Sequence, residues 1–315
     1  MSVSTHLQGL AAFGADDRYG VEREIGRGAT STVFLAHDRK HGRKVALKVL
    51  HPELAAAMES ERFLREVQLV AKLQHPHILP LYDSGQVGGA LYFVMPYVEG
   101  DSLRDRLARE RQLPVADALR IVREVAGALQ YAHDLGVVHR DIKPENILLS
   151  SGQPVLSDFG VARAISRASG EFRSFRSGET RPSHEMVMVG TPAYVSPEQA
   201  SGDPTLDGRA DQFALACVLY EMLAGAPPFS GSTPQETLAR RFTERPPPLL
   251  AARPELSPAL ENVVLRALSV TPADRYPTVE QFALALSAEH RSVATAAATA
   301  AASPDGRRRR WWKLF

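Results

Sequence analysis

The hydrophobic pattern of this chain changes its period part-way along, and that change constrains the fold more than any other feature. From Tyr19 to about Met95 the apolar residues fall in short strand-like runs, TVFLAH, KVALKVL and LYFVM, with one helical stretch at about 53–73. From about Ser102 onward helical spacing takes over. Ala118, Val122, Val125, Leu129 and Ala132 follow one another at intervals of 4, 3, 4 and 3, which places them on one helix face. The run QFALACVLYEMLA at 212–224 is apolar nearly all round, the pattern of a helix buried on every side. A small β-rich half before a larger helical half predicts an α+β protein of two lobes with a cleft between them.

Composition bounds what such a chain can be. Of its 315 residues 44% are hydrophobic and 23% charged, which supports a sizeable core and excludes disorder throughout. The one cysteine, Cys217, excludes a disulfide framework and a cysteine-based structural zinc site, and its place in an apolar helix reads as core packing. His75 and His77, in LQHPHI, have no cysteine or acid at ligand spacing and read as structural. A net charge of +1 gives no reason to expect nucleic acid as a partner. The balance conceals a split, however. The last thirteen residues, SPDGRRRRWWKLF, carry +4, which leaves residues 1–302 at −3. Residues 1–18 read as a loose extension without the features of a secretory signal, and 289–306 as an Ala-, Ser- and Thr-rich linker. No run of about 18 apolar residues marks a transmembrane helix.

Three stretches carry chemistry. In IGRGATSTV, residues 25–33, Gly26 and Gly28 let the backbone approach a phosphate closely, although Ser31 stands where a third glycine would fall. Taken alone this is a weak signal, and a glycine-containing hairpin is the commoner meaning of such a run. In the strand KVALKVL, Ala46 and Lys48 share a face, which suits a flat base over Ala46 and an ammonium reaching phosphates. Glu66, eighteen residues on in RFLREVQLV, could hold that ammonium in place. The strongest signal is HRDIKPEN at 139–146, followed twelve residues after Asn146 by DFG at 158–160. Phosphoryl transfer needs a base to orient a hydroxyl, oxygen ligands for Mg²⁺ and a cation on the γ-phosphate. Asp141, then Asn146 with Asp158, then Lys143 can supply those parts in that order.

These stretches together resemble the protein-kinase catalytic domain, and in particular the eukaryotic-like, Hanks-type Ser/Thr kinases of bacteria. The resemblance spans about Tyr19 to Leu286. It includes GTPAYVSPEQ at 190–199, where Ser196–Glu198 stands for the family's APE, and Asp211, which matches its structural aspartate. Arg275 in PADRYPT matches the arginine that pairs with Glu198. The resemblance implies a catalytic domain over 19–288, with an N-lobe to about 97 and a C-lobe from 98, and the remainder as linker and tail. It implies ATP with Mg²⁺, or Mn²⁺ in its place, and proteins with Ser/Thr acceptors as substrates in signal transduction.

By the same resemblance Asp141 is the catalytic base and Lys143 neutralises the transferring phosphoryl group. Asn146 and Asp158 hold the metal, and Lys48, paired with Glu66, binds the α/β-phosphates. Ile25, Val33, Ala46 and Leu148 sandwich the adenine, under a loop of Gly26, Arg27, Gly28 and Ala29. Met95 is the gatekeeper, and Val98 in the hinge offers its N–H. Pro96 departs from the frequent Glu but removes only an N–H that adenine does not need. Ala216, where glycine is frequent, is tolerable. Lys143 with Thr191 favours Ser/Thr over Tyr acceptors.

Arg140 beside Asp141 suggests control by a phosphate on the long loop 161–189, with Thr180 or Ser183 the acceptors; alternatively Glu185 stands in for that phosphate. The tail, Arg307–Arg310 then Trp311 and Trp312, resembles a juxtamembrane edge that binds an anionic surface through 307–313, at the inner face of the plasma membrane of a cytoplasmic enzyme. A solvated tail and a homodimer stay open. The competing readings are a pseudokinase scaffold, a small-molecule phosphotransferase and a membrane-tethered signalling adaptor. The intact Lys48, Glu66, Asp141, Asn146 and Asp158 oppose the first. Lys143 and GTPAYVSPE oppose the second.

Overall fold

The computed structural model describes residues 18–28, 30–52, 67–87, 89–159 and 192–289. Its N-terminal lobe is an antiparallel sheet of β1 (Tyr19–Arg27), β2 (Ser31–Asp38), β3 (Arg43–Leu50), β4 (Asp83–Val87) and β5 (Ala90–Pro96), in the order β1-β2-β3-β5-β4. Register sorts its side chains. Val33 lies opposite Lys48 and Leu35 opposite Ala46 across β2 and β3, while Lys48 faces Phe93 and Ala46 faces Met95 across β3 and β5. Directly opposed residues share a face, so one face gathers these six. The other carries Tyr19, Phe34, Ala36, Val45, Leu47, Tyr92 and Val94, which pack as the small core of this lobe. Burying each of the larger ones stabilises the sheet by about 1.5–3 kcal/mol.

The C-terminal lobe is built on helices. Ser102 caps α1 (Leu103–Glu110) through a capping box with Asp105, and Leu103 and Leu107 bury its inner side. The face predicted at 115–136 belongs to α2 (Val115–Asp134), where Ala118, Val122, Val125, Leu129 and Ala132 are all buried. The all-round apolar run lies in α3 (Gly208–Ala224), buried at every position from Ala210 to Leu223, and it ends at Gly225 with φ 84°. The helix begins four residues before the apolar run because Asp207 caps it and Asp211, though charged, points inward. Cys217 is fully buried there, and burial pushes its thiol up to about 12. No helix among the described residues is long and apolar enough to cross a membrane.

A small sheet of β6 (Asp101–Ser102), β7 (Ile147–Ser150) and β8 (Gln153–Leu156) covers the side of this lobe that meets the first. The chain approaching β4 is stitched to it. Leu79 N–H donates to Leu156 carbonyl at 2.8 Å, and Leu156 N–H donates to His77 carbonyl at 2.9 Å. His77 Nδ1 meets Pro154 carbonyl at 2.7 Å, so the histidine ties its turn to β8. These bonds fix the first lobe over the loops that flank β7 and β8. Those loops hold the catalytic candidates.

Candidate active site

The loop from α2 to β7 is organised by a carboxylate beneath it. Asp211, 1% exposed at the start of α3, accepts from His139 N–H at 2.8 Å and Arg140 N–H at 2.7 Å, and His133 Nε2 lies 2.8 Å from it. Two successive amides converge on one carboxyl only if the backbone turns sharply, and Arg140 takes a left-handed φ of 70°. A Cβ on Gly208 would stand 2.4 Å from His133 Nδ1, so the glycine gives the ring its place. Burial works against the Asp211 charge, yet the hydrogen bonds and His133 hold its carboxyl below the usual range.

With the loop pinned, its side chains converge. Lys143 Nζ lies 2.7 Å from Asp141 Oδ2. Asn146 Nδ2 donates to Asp141 carbonyl at 2.7 Å and to Asp141 Oδ2 at 3.0 Å. Both partners of the Asp141 carboxylate therefore hold one oxygen. Asn146 spends its amide N–H groups on Asp141, which turns its amide oxygen the other way.

Asp158 arrives from β8. Ser157 N–H donates to Asn146 carbonyl at 2.9 Å, His139 Nε2 meets Ser157 carbonyl at 2.9 Å, and the His139 ring stands edge-on to Phe159 at 4.5 Å. His139 is thus the fixture between the two loops. Asp158 takes φ 64° and its Oδ1 lies 2.7 Å from Lys48 Nζ on β3. Burial works against its charge, but Lys48 foremost, with His139 and Lys143, holds the carboxyl below the usual range. Lys48, Asp141, Lys143, Asn146 and Asp158 accordingly meet where the two lobes face each other.

The surroundings fit a nucleotide and a cation. Gly26 and Gly28 do not use left-handed φ values, and a Cβ would come no closer than 4.0 Å to Val33 or 3.8 Å to Ser31 carbonyl. The neighbouring described residues would accept side chains there. Bare backbone instead leaves room for a group from outside. Ile25, Val33, Met95, Val98 and Leu148 are half-buried, with Met95 opposite Ala46 and Val33 opposite Lys48 in the sheet. Arg27 pairs with Glu24 through Nε at 2.9 Å, so its guanidinium lies along β1. Ala29, Glu66, Thr180, Ser183, Glu185 and Thr191 lie outside the described residues, as do 290–315.

Beyond the loops, Arg275 meets Glu198 through two bonds of 2.7 Å, and Gln199 Nε2 donates to Arg140 carbonyl at 2.8 Å. One arrangement escaped sequence reasoning: Arg104 on α1 reaches Glu145, in the middle of HRDIKPEN, together with Glu221 and Tyr194. Its signal was present only as an acid one residue before Asn146, with nothing to say what faced it.

A family model of the protein kinase domain matches residues 19–284. The chain belongs to that family. It is 39% identical over 271 residues to serine/threonine-protein kinase PknB of Mycobacterium leprae (strain TN) and, equally, of Mycobacterium tuberculosis (strain ATCC 25618 / H37Rv), a match that covers 84% of this chain and 42% of each relative. The chain thus spans about two fifths of the length of the curated relatives it matches. The crystal structure of the Mycobacterium tuberculosis PknI kinase domain is similar at a TM-score of 0.66 and 37% identity, covering 87% of this chain and 96% of that one. A cysteine-to-alanine mutant of the same domain gives 0.67 and 36%, with the same coverage. The five-stranded lobe over a helical one is the two-lobed kinase fold. Kinases of this family take ATP and a divalent metal ion.

Proposed function

We propose that residues 19–288 form the catalytic domain of a serine/threonine protein kinase that transfers the γ-phosphate of Mg·ATP to proteins. The observation that supports this most is the convergence of Asp141, Lys143 and Asn146 with the Lys48–Asp158 pair. Asp141 Oδ2 is held by Lys143 and Asn146, and the remaining oxygen is oriented to accept the acceptor hydroxyl's proton. Lys143 sits where it both fixes that carboxylate and offsets charge on the transferring group. Lys48, fixed by Asp158, presents its ammonium to the α/β-phosphates. Asn146 Oδ1 and Asp158 would hold Mg²⁺, which when bound neutralises charge on the phosphates. Lys143 and Thr191 support Ser/Thr acceptors.

Incubation with Mg·ATP and a generic protein substrate tests the reading. Wild type should place phosphate on Ser or Thr, and Asp141→Asn should lower the rate by about 10²–10⁴-fold. Transfer that survives the substitution undiminished refutes it. Mapping the same wild-type product reads the loop as well. Phosphate on Thr180 or Ser183 is the expected result, and an unmodified loop in a fully active enzyme excludes autophosphorylation there.

Four arginines before two tryptophans support an anionic membrane surface as partner for 307–313, at about 1 kcal/mol per basic residue. Anionic liposomes should co-sediment the chain, and deletion of 307–315 should abolish this; binding unchanged by the deletion leaves a merely solvated tail.

A further inference from the structure

Helix α4 (Pro234–Thr243) carries two successive arginines in opposite surroundings. Arg240 lies toward solvent, where Glu236 is 2.7 Å from its Nη2 and Glu244 is 3.9 Å from its Nε. Arg241 turns inward and is fully buried. Its Nη2 donates to the carbonyl of Pro192, while its Nε and Nη1 are buried with no hydrogen-bond partner among the described residues. Burial pushes its guanidinium below the ordinary arginine range, and the ionisable group that acts on it is the Cys217 thiol on α3. That thiol is itself pushed up to about 12, so it is neutral and supplies no counter-charge. Arg275, buried almost as deeply, has what Arg241 lacks, since it donates to both oxygens of Glu198.

A buried cation with one neutral acceptor works against folding. Its charge and its two unpaired donors have all left water, and an apolar side chain of similar volume is often the more stable occupant of such a place. The bond to Pro192 is therefore what Arg241 contributes. Proline has no N–H, so its carbonyl is the polar group by which that residue can be held. Pro192 opens the turn Pro192–Tyr194, whose far end is fixed by the Tyr194 hydroxyl donating to Glu221 Oε2 at 2.5 Å. Past the turn, Ser196 caps the short helix Pro197–Ala200, from which Gln199 Nε2 donates to the carbonyl of Arg140, the residue before Asp141. The residue before Pro192 is Thr191, which the kinase reading gives to the acceptor side. One guanidinium thus grips the near end of a segment whose other end is bonded to the catalytic loop.

We propose that Arg241 is a positioning residue for the protein acceptor: its bond to the Pro192 carbonyl sets the turn Pro192–Tyr194 against the catalytic loop, and the acceptor docks there in register only when that bond is made. This rests on the protein-kinase reading above. Arg241 acts through the turn, with no change at the phosphoryl group.

Initial rates with Mg·ATP and a generic protein substrate, together with thermal melts, test this in wild type, Arg241→Met and Arg241→Lys. Arg241→Met should raise the KM for the acceptor about tenfold with the KM for ATP unchanged, because one charge-assisted bond is lost on the acceptor side alone. Its Tm should rise by about 2–4 °C, since an apolar chain replaces an unpaired cation. Arg241→Lys keeps a charged donor and should bring the acceptor KM back towards that of wild type. An unchanged acceptor KM in Arg241→Met overturns the proposal. So does a rise in both KM values with a fall in Tm, the result expected of a merely structural residue, and so does a lysine variant no better than the methionine one. Should Arg241→Met fail to fold, Arg241→Gln, neutral and shorter in reach, is read in its place. Absence of Asp141-dependent transfer by wild type overturns the kinase reading and this inference together, whereas transfer whose acceptor KM is the same in every variant overturns this inference alone.

Discussion

Asp158→Asn should lower phosphoryl transfer to a protein acceptor by about 10²–10³-fold while leaving the chain folded. Asparagine keeps the shape and one oxygen of the side chain but removes its charge. Two functions depend on that charge. It fixes the Lys48 ammonium at 2.7 Å, and in the proposed reading it would supply an anionic oxygen for a divalent cation at the junction of the two loops. The turn itself should persist, because His139, Phe159 and the Ser157–Asn146 bond hold it without the carboxylate, and asparagine tolerates a φ of 64° well.

The pH dependence has a definite sign. The Asp158 carboxyl is held below its ordinary range, so its contribution to stability is present above about pH 4, the unfolded value, and is lost as pH falls through the lower folded value. Between pH 6 and 9 it stays ionised, and the activity ratio of wild type to variant should be flat there. Initial rates at saturating ATP across that interval, with a thermal melt of each protein, check both statements. A loss smaller than tenfold, in a variant that still binds the cation, would remove Asp158 from the metal site.

The largest stability loss should come from Glu198→Ala, about 3–5 kcal/mol. Arg275 is 1% exposed, and its guanidinium donates to both oxygens of Glu198 as well as to the carbonyls of Arg209, Ser269 and Val270, with the Phe213 ring 4.9 Å away. Removing the carboxylate leaves a buried cation held only by neutral carbonyls. For a chain of this size the loss corresponds to a fall in Tm of roughly 10 °C. Thermal denaturation by circular dichroism measures it. A fall under 2 °C for Glu198→Ala would show that the pair contributes no net stability.

Much of this molecule was legible in its sequence because periodicity reports burial directly. The face of α2 and the inward side of β3 were readable as spacing, and the all-round apolar run of α3 could only be a central helix. The order of Asp141, Lys143, Asn146 and Asp158 was readable as chemistry. The start of α3 at Gly208 was not readable as spacing; Asp211 was legible only through the resemblance, and the His139 and Arg140 amides that converge on it appear only in the structure. The Arg104 cluster was equally hidden. Its bonded members are separated by 27 to 117 residues, and nothing local in the sequence says that they meet.

The sequence by itself determined which groups this chain can offer for the proposed phosphoryl transfer, and in which lobes they reside, because strand and helix periods and short loop motifs are local properties. Tertiary structure decided how those groups are aimed. Asp211 turns the catalytic loop from below, His139 joins it to Asp158, and Lys48 crosses from the other lobe to meet that carboxylate. Whether Glu145 faces a substrate or the chain's own Arg104 was decided there too. Hydrogen bonds and ion pairs act over about 3 Å in space, and only folding determines which distant residues come that close.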